Sequence, residues 1–217
     1  MLALDYLDSA RPEAEEIVAG FARDEDRLAA SRYRSPLRRR QSVAAYALLR
    51  ATLQKVAGRP GAGWRFSHDP AGKPMARSDD ATGFAVSLSH SRSLVACAIS
   101  DLGPLGIDVE YCAPERPLVG IASTAFGRDE RRAVDIGGAA AFYRIWTLRE
   151  ALAKANGAGL PMVRNKRDYF AGSQAGSPWR AAIDGRDWLF AHAMLPGAYA
   201  MGLAVFGDHD PSSLIVR

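Results

Sequence analysis

Apolar and polar positions alternate with two different periods along this chain, and the two periods recur in the same order. Residues 40–58, RQSVAAYALLRATLQKVAG, place apolar side chains at helical spacing. Gly58 stands where a left-handed cap belongs, and Pro60 lies beyond it. A Gly- and Pro-rich loop, PGAGWRFSHDPAGKP, follows. FAVSLSHS (84–91) then alternates, with Phe84, Val86 and Leu88 on one face, and SLVACAIS (93–100) is an almost unbroken apolar strand. DLGP is a turn signal, and LGIDVE (105–110) is a third strand. The second half repeats this. WTLREALAKANG (146–157) is a helix with Phe142, Ile145, Trp146 and Leu152 on its apolar side, capped by Gly157. A basic loop leads into WRAAI, the turn DGR, the strand DWLFAHAML, the turn PG and the strand AYAMGLAVF. Helix, loop and three-strand meander, twice, predict an α+β fold of two similar halves packed as an intramolecular pseudo-dimer. The boundary falls in the DLGP turn, giving an N-terminal half 1–104 and a C-terminal half 105–217 that opens on the GIDVE strand. Ligands commonly bind between such halves.

Composition narrows the class. In 217 residues, 48% are apolar and 24% charged, enough for a real core in an ordinary globular protein. A net charge of +4 suits a phosphorylated ligand or an acidic protein partner without demanding nucleic acid. RYRSPLRRR (32–40) is the most basic stretch, but only Tyr33 interleaves it and no recognition motif follows, so it reads as a solvated approach to a helix. The two cysteines show neither CxxC nor zinc spacing, and Cys97 sits in an apolar run as a buried small hydrophobe. The N-terminus carries acids where a signal peptide needs bases, and no window has about 20 continuous apolar residues. The expectation is a reduced, cytoplasmic protein with no membrane span.

Three carboxylates then draw attention. In GIDVE, Asp108 and Glu110 share one strand face, their Cα atoms roughly 6.5–7 Å apart, while Ile107 and Val109 take the other. Glu150 and Lys154 share a helix face one turn apart. Each pair has an ordinary reading: a solvated strand face, and an i,i+4 ion pair worth ~0.2–0.5 kcal/mol. Together, Asp108, Glu110 and Glu150 form the oxygen-only set that Mg²⁺ prefers, usually with substrate phosphates completing its shell. Lys73 in AGKP, Ser89 and His90 in SLSHS, and Lys154 are candidate phosphate partners, each with an everyday structural alternative. Trp146 reads as core packing. No Walker-type loop, GxGxxG or GxSxG is present.

GIDVE at 106–110 and WTLREALAKANGAGL at 146–160 together resemble the paired signature of the 4′-phosphopantetheinyl transferase family, roughly GxDxE followed by WxxKEAxxKxxGxGL. Trp146, Glu150, Ala151, Lys154, Gly157, Gly159 and Leu160 match, and Arg149 replaces the commoner Lys. GKP at 72–74 and SLSHS at 87–91 resemble two further blocks, with Ser87 for the frequent Asn and Arg92 for a following Gly. The length and repeat resemble the monomeric, surfactin-type class. The resemblance implies transfer of 4′-phosphopantetheine from coenzyme A to a serine of an apo acyl, polyketide or peptidyl carrier protein, releasing adenosine 3′,5′-bisphosphate. It implies Mg²⁺ on Asp108, Glu110 and Glu150. Coenzyme A phosphates would meet Lys73, Pro74, Ser89, His90 and Lys154, with Arg27 and Arg32 as nucleotide contacts. Glu150 is the candidate general base, directly or through water, and Lys154 stands by the pyrophosphate. The rival readings are a non-catalytic module that binds coenzyme A or a carrier protein, and a Mg²⁺-dependent pyrophosphate hydrolase.

Overall fold

Two long helices, each stopped by a left-handed glycine, organise the chain into two units. The computed structural model describes residues 2–58, 60, 63–68, 73–78, 83–101, 103–173, 176–207 and 214–216. One unit comprises Met1–Leu102 with Ser213–Arg217, the other Gly103–Ser212. Helices and mainly antiparallel sheet make the fold α+β, as expected.

The first unit begins with a strand, β1 (Leu2–Asp8), for which the sequence pattern held no expectation. Two short helices, α1 (Pro12–Phe21) and α2 (Asp24–Ser31), precede the long helix α3 (Pro36–Ala57). Ser35 caps α3 by accepting a hydrogen bond from the Arg38 amide, Pro36 fills the first turn, and Gly58 closes it at φ 64°. Strands β2 (Trp64–His68), β3 (Pro74–Ser78), β4 (Gly83–Ser91) and β5 (Leu94–Ser100) follow. The sheet order is β10-β1-β5-β4-β3-β2, in which β10 (Leu214–Val216) runs parallel to β1 and the other neighbours are antiparallel. Ala44, Ala45, Leu48, Leu49 and Leu53 of α3 form a core with Trp64, Phe84, Val86, Val95, Cys97 and Ile99. Burial pushes the Cys97 thiol up to about 12, so it is an inert apolar filler, as its apolar run predicts. Arg50 of α3 is buried and paired with Asp26 and Glu25 of α2.

The second unit holds β6 (Leu105–Tyr111), α4 (Leu118–Ala125), α5 (Arg128–Asn156), the short α6 (Gly159–Val163), and the meander β7 (Gly176–Ile183), β8 (Arg186–Leu195) and β9 (Tyr199–Phe206). Its sheet order is β6-β9-β8-β7, all antiparallel. LGIDVE is therefore not the last strand of the first meander. It pairs with β9 from Leu105–Val205 to Tyr111–Tyr199, because hydrogen bonding to a distant strand outranks proximity in sequence. The β7–β9 meander lies where its turn signals predict, with Asp184 and Gly185 both left-handed in a two-residue turn. α5 breaks its helical geometry at Gly138 (φ 59°, ψ −143°) and ends at Gly157 (φ 70°). No described helix is long and apolar enough to cross a membrane.

A buried ion pair ties this unit together. Arg149, 1% exposed, donates from Nε to the Val163 carbonyl (2.9 Å), from Nη1 to Glu130 Oε2 (2.6 Å) and the Arg167 carbonyl (2.7 Å), and from Nη2 to Asn165 Oδ1 (3.0 Å) and the Ala125 (3.2 Å) and Met162 (3.4 Å) carbonyls. Glu130, fully buried, accepts on Oε1 from the Tyr169 and Phe170 amides. Burial raises the Glu130 pKa, opposed first by the Arg149 charge and then by those two amides. Lysine, which the family pattern favours at position 149, has three donors for these six acceptors.

Three outcomes are expected. Urea melts should show Glu130→Gln costing ~3–5 kcal/mol, since Arg149 is left as a buried uncompensated charge, and Arg149→Lys costing ~1–3 kcal/mol through stranded carbonyls. His192 of β8 is buried, and its pKa falls to about 4 through burial first and the neighbouring Arg144 charge second. It is neutral in the fold but protonates at about pH 6.5 when unfolded. Stability is thus complete above about pH 6.5 and declines as pH drops toward 4, by roughly 3 kcal/mol in all. His192→Phe should flatten that part of a denaturation-versus-pH profile; an unchanged profile would place the titration elsewhere.

Candidate functional site

The site of the second unit starts from two glycines. A Cβ at Gly106 would lie 2.0 Å from the Ala151 carbonyl oxygen and 2.7 Å from the Ala155 nitrogen. A Cβ at Gly202 would lie 2.6 Å from the Thr147 carbonyl carbon. Gly202 is the register partner of Asp108 on β9. The α5 backbone therefore rests directly on the β6–β9 pair, which no other residue type permits at either position. Side chains alternate along β6, so Gly106, Asp108 and Glu110 share the face that α5 covers. The carboxylates are not on a solvated face: Asp108 is 6% exposed. Ile107 and Val109 are buried on the opposite face.

Along the edge of α5, Trp146, Glu150 and Lys154 follow one another at four-residue spacing. Each meets the strand in order. Trp146 donates its indole N–H to Glu110 Oε1 (3.2 Å). Lys154 Nζ donates to Asp108 Oδ1 (2.7 Å) and to the Ile107 carbonyl (3.0 Å). Glu150, between them, is half-buried and forms no ion pair within 4 Å among the described residues. Its pKa is raised by burial first and then by the Asp108 charge, with Glu110 adding and Lys154 and Arg164 opposing. Glu150 thus senses both strand carboxylates. Lys154 belongs to Asp108 rather than to an i,i+4 pair with Glu150.

A sixth participant escapes the sequence pattern. Arg116, in the loop after β6, sets Nη1 3.3 Å from Glu110 Oε2 and lies over the rings of Trp146 (5.4 Å) and Tyr143 (5.9 Å). With Lys154 on Asp108 and Arg116 on Glu110, no three carboxylate, imidazole or thiol groups among the described residues converge as a ready metal cage. The donor chemistry nonetheless suits Mg²⁺: three oxygen ligands on a strand and a helix, with mutual repulsion that a divalent cation would relieve.

The remaining candidates lie in the first unit. Ser89 is buried on β4, and His90, its neighbour, points to the other face. Arg38 of α3 lays its guanidinium against the His90 ring, Nη1 2.9 Å from Nδ1. It comes from the RRR run that reads as a solvated approach, and no local signal marks it as a partner of a strand 52 residues away. Gln41 donates to the Arg92 carbonyl (2.6 Å), pinning the turn after β4. Arg92 itself has φ 48°, the conformation for which a glycine, the family's residue there, is suited. Lys73 and Pro74 are half-buried at the start of β3; Gly72 of the GKP block lies outside the described residues. Arg27 lines a cleft of about 750 Å³ with Arg11, Arg39 and Arg40 over an alanine- and valine-rich floor. Arg32 instead stacks on Tyr33.

Comparison with known proteins converges on one family. The model of the 4′-phosphopantetheinyl transferase superfamily matches residues 104–204, the stretch that carries the α5–β6 site. Over 160 residues the chain is 32% identical to the 4′-phosphopantetheinyl transferase HetI of Nostoc sp., covering 71% of this chain and 67% of the relative. Over 156 residues it is 30% identical to the 4′-phosphopantetheinyl transferase psf-1 of Bacillus pumilus, covering 70% and 64%. Over 74 residues it is 35% identical to the 4′-phosphopantetheinyl transferase AcpT of Salmonella typhi, covering 32% and 38%. The match with the first two thus spans about two thirds of their length. Helix stripe, strand carboxylates and similarity over 71% of the chain agree, and the chain belongs to the 4′-phosphopantetheinyl transferase superfamily.

Proposed function

We propose that this protein transfers 4′-phosphopantetheine from coenzyme A to a serine hydroxyl of an apo carrier protein of the acyl, polyketide or peptidyl type, and releases adenosine 3′,5′-bisphosphate. The observation that carries the reading is the ladder of Trp146, Glu150 and Lys154 against Glu110 and Asp108, at the positions that match the family signature. The names of the relatives point to the same transfer.

The serine oxygen forms a bond to the phosphorus on the pantetheine side of the pyrophosphate. The bond from that phosphorus to the bridging oxygen breaks, and its electron pair leaves with the nucleotide bisphosphate. The serine proton goes to Glu150, directly or through water, since Glu150 is the carboxylate of the set that stands between the two strand acids. Lys154 supplies a cation to the developing negative charge. Asp108, Glu110 and Glu150 would hold Mg²⁺, which when bound neutralises charge on the pyrophosphate oxygens. Lys73, Pro74, Ser89, His90 and Arg27 are proposed as coenzyme A contacts, with Arg32 the weakest member because it is engaged with Tyr33.

The pseudo-dimer reading of the fold belongs here too. In each unit a long helix ends on a left-handed glycine and buries an arginine paired to an acid about twenty residues upstream, Arg50 with Asp26 and Arg149 with Glu130. These likenesses support a pseudo-dimer of halves 1–104 and 105–217, of which the last strand, β10, pairs back with β1; the protein is proposed to act as a monomer in the cytoplasm.

Incubation of an apo carrier protein with the enzyme, coenzyme A and Mg²⁺ should add one phosphopantetheinyl group to the carrier, read by intact mass. Asp108→Asn and Glu150→Gln should each slow the gain by about 10²-fold or more while the protein stays folded. Coenzyme A binding with no transfer to any carrier class would favour a binding module. Free phosphopantetheine beside unmodified carrier would favour a hydrolase.

A further inference from the structure

The proposed reading assigns Glu110 to a cation but gives no task to Trp146 and Arg116, which already contact it. Glu110 is half-buried, and its two oxygens face different partners. Oε1 accepts the indole N–H of Trp146, a side chain only 6% exposed and stacked on Phe142 at 5.9 Å with 12° between the rings. Such a donor has little freedom to move, so it fixes the direction of Oε1. Oε2 meets Arg116, whose guanidinium is seated over Trp146 and Tyr143. Tyr143 in turn donates its hydroxyl to the Ala113 carbonyl (3.2 Å), anchoring the loop that carries Arg116 to α5. Arg116 is 27% exposed, so it has room to leave.

We infer that Trp146 and Arg116 are positioning residues for the cation-binding carboxylate, with opposite effects. Trp146 holds Oε1 and thereby aims the carboxylate toward Asp108 and Glu150. Arg116 is a resident counter-ion on Oε2, a place-holder that a divalent cation displaces and that lowers apparent cation affinity by competition. The aromatic seat keeps the displaced guanidinium nearby, over Trp146 and Tyr143. The inference rests on the reading of Asp108, Glu110 and Glu150 as a cation site.

Mn²⁺ binding, followed by loss of the free-ion electron paramagnetic resonance signal in the presence of coenzyme A, tests it without turnover. Trp146→Phe keeps the stacked ring and deletes the N–H; Mn²⁺ affinity should fall about tenfold, as for other groups that orient a metal ligand. Arg116→Gln deletes the competitor; affinity should rise about two- to fivefold, the scale of a partly exposed ion pair. A merely structural role would lower thermal stability and leave the Mn²⁺ curve unmoved. Unchanged affinity in both variants, or weaker binding in Arg116→Gln, overturns the inference while the cation site stands. Wild-type protein that binds no Mn²⁺ overturns the cation site and this inference with it. If Trp146→Phe fails to fold, the sign of the Arg116→Gln effect alone decides, because Arg116 lies in an exposed-side loop outside the core.

Discussion

Backbone contact between α5 and the β6–β9 pair is the constraint on which the second unit depends. Two positions without side chains, Gly106 and Gly202, let a helix lie on a strand pair at a separation that any Cβ would forbid. Everything chemical follows from that separation. Lys154 reaches Asp108, Trp146 reaches Glu110, and Glu150 falls between two carboxylates whose charges it feels. The glycine of GIDVE is therefore as much a part of the site as the acids after it, although it donates nothing and accepts nothing through a side chain.

The buried Arg149–Glu130 pair serves the same end from behind. Its donors satisfy the carbonyls of Ala125, Val163 and Arg167, so the ends of α4 and α6 and the loop at Arg167 converge on one turn of α5. Burial makes such a pair expensive unless every donor and acceptor is met, and here the guanidinium has six partners and the carboxylate three. The neighbouring residue in sequence is Glu150. One helical turn thus faces the core scaffold with Arg149 and the site with Glu150.

Local signals in the sequence were good guides to local structure. The stop signals at Gly58 and Gly157, the β7–β9 meander and the shared face of Asp108 and Glu110 all rest on periods and turn chemistry within a short window, and all are present. What the pattern misassigned was pairing. LGIDVE reads as a strand, but its partner lies about ninety residues later, and no short-range feature distinguishes that partner from β5. β1 and its parallel neighbour β10 escape for the same reason. In the site, regular elements made Glu150, Lys154, Asp108 and Glu110 legible. Arg116 and Arg38 were not, since a loop and a helix N-terminus bring them to their partners. Trp146 reads as packing from its spacing, and it is packed; its polar edge becomes informative only once Glu110 is placed beside it.

The break in α5 at Gly138 gains meaning from the ion pair that spans it. Glu130 precedes the break and Arg149 follows it, so the two helical stretches meet at an angle and are joined again by a cross-member. A bend with a strut across it behaves as a truss. The outer stretch presents Arg128, Arg131 and Arg132, all exposed, and the strut fastens to the inner stretch at Arg149, one residue from Glu150. Any change in the angle between the two arms would therefore have to break or re-form the Arg149–Glu130 pair at the residue next to Glu150.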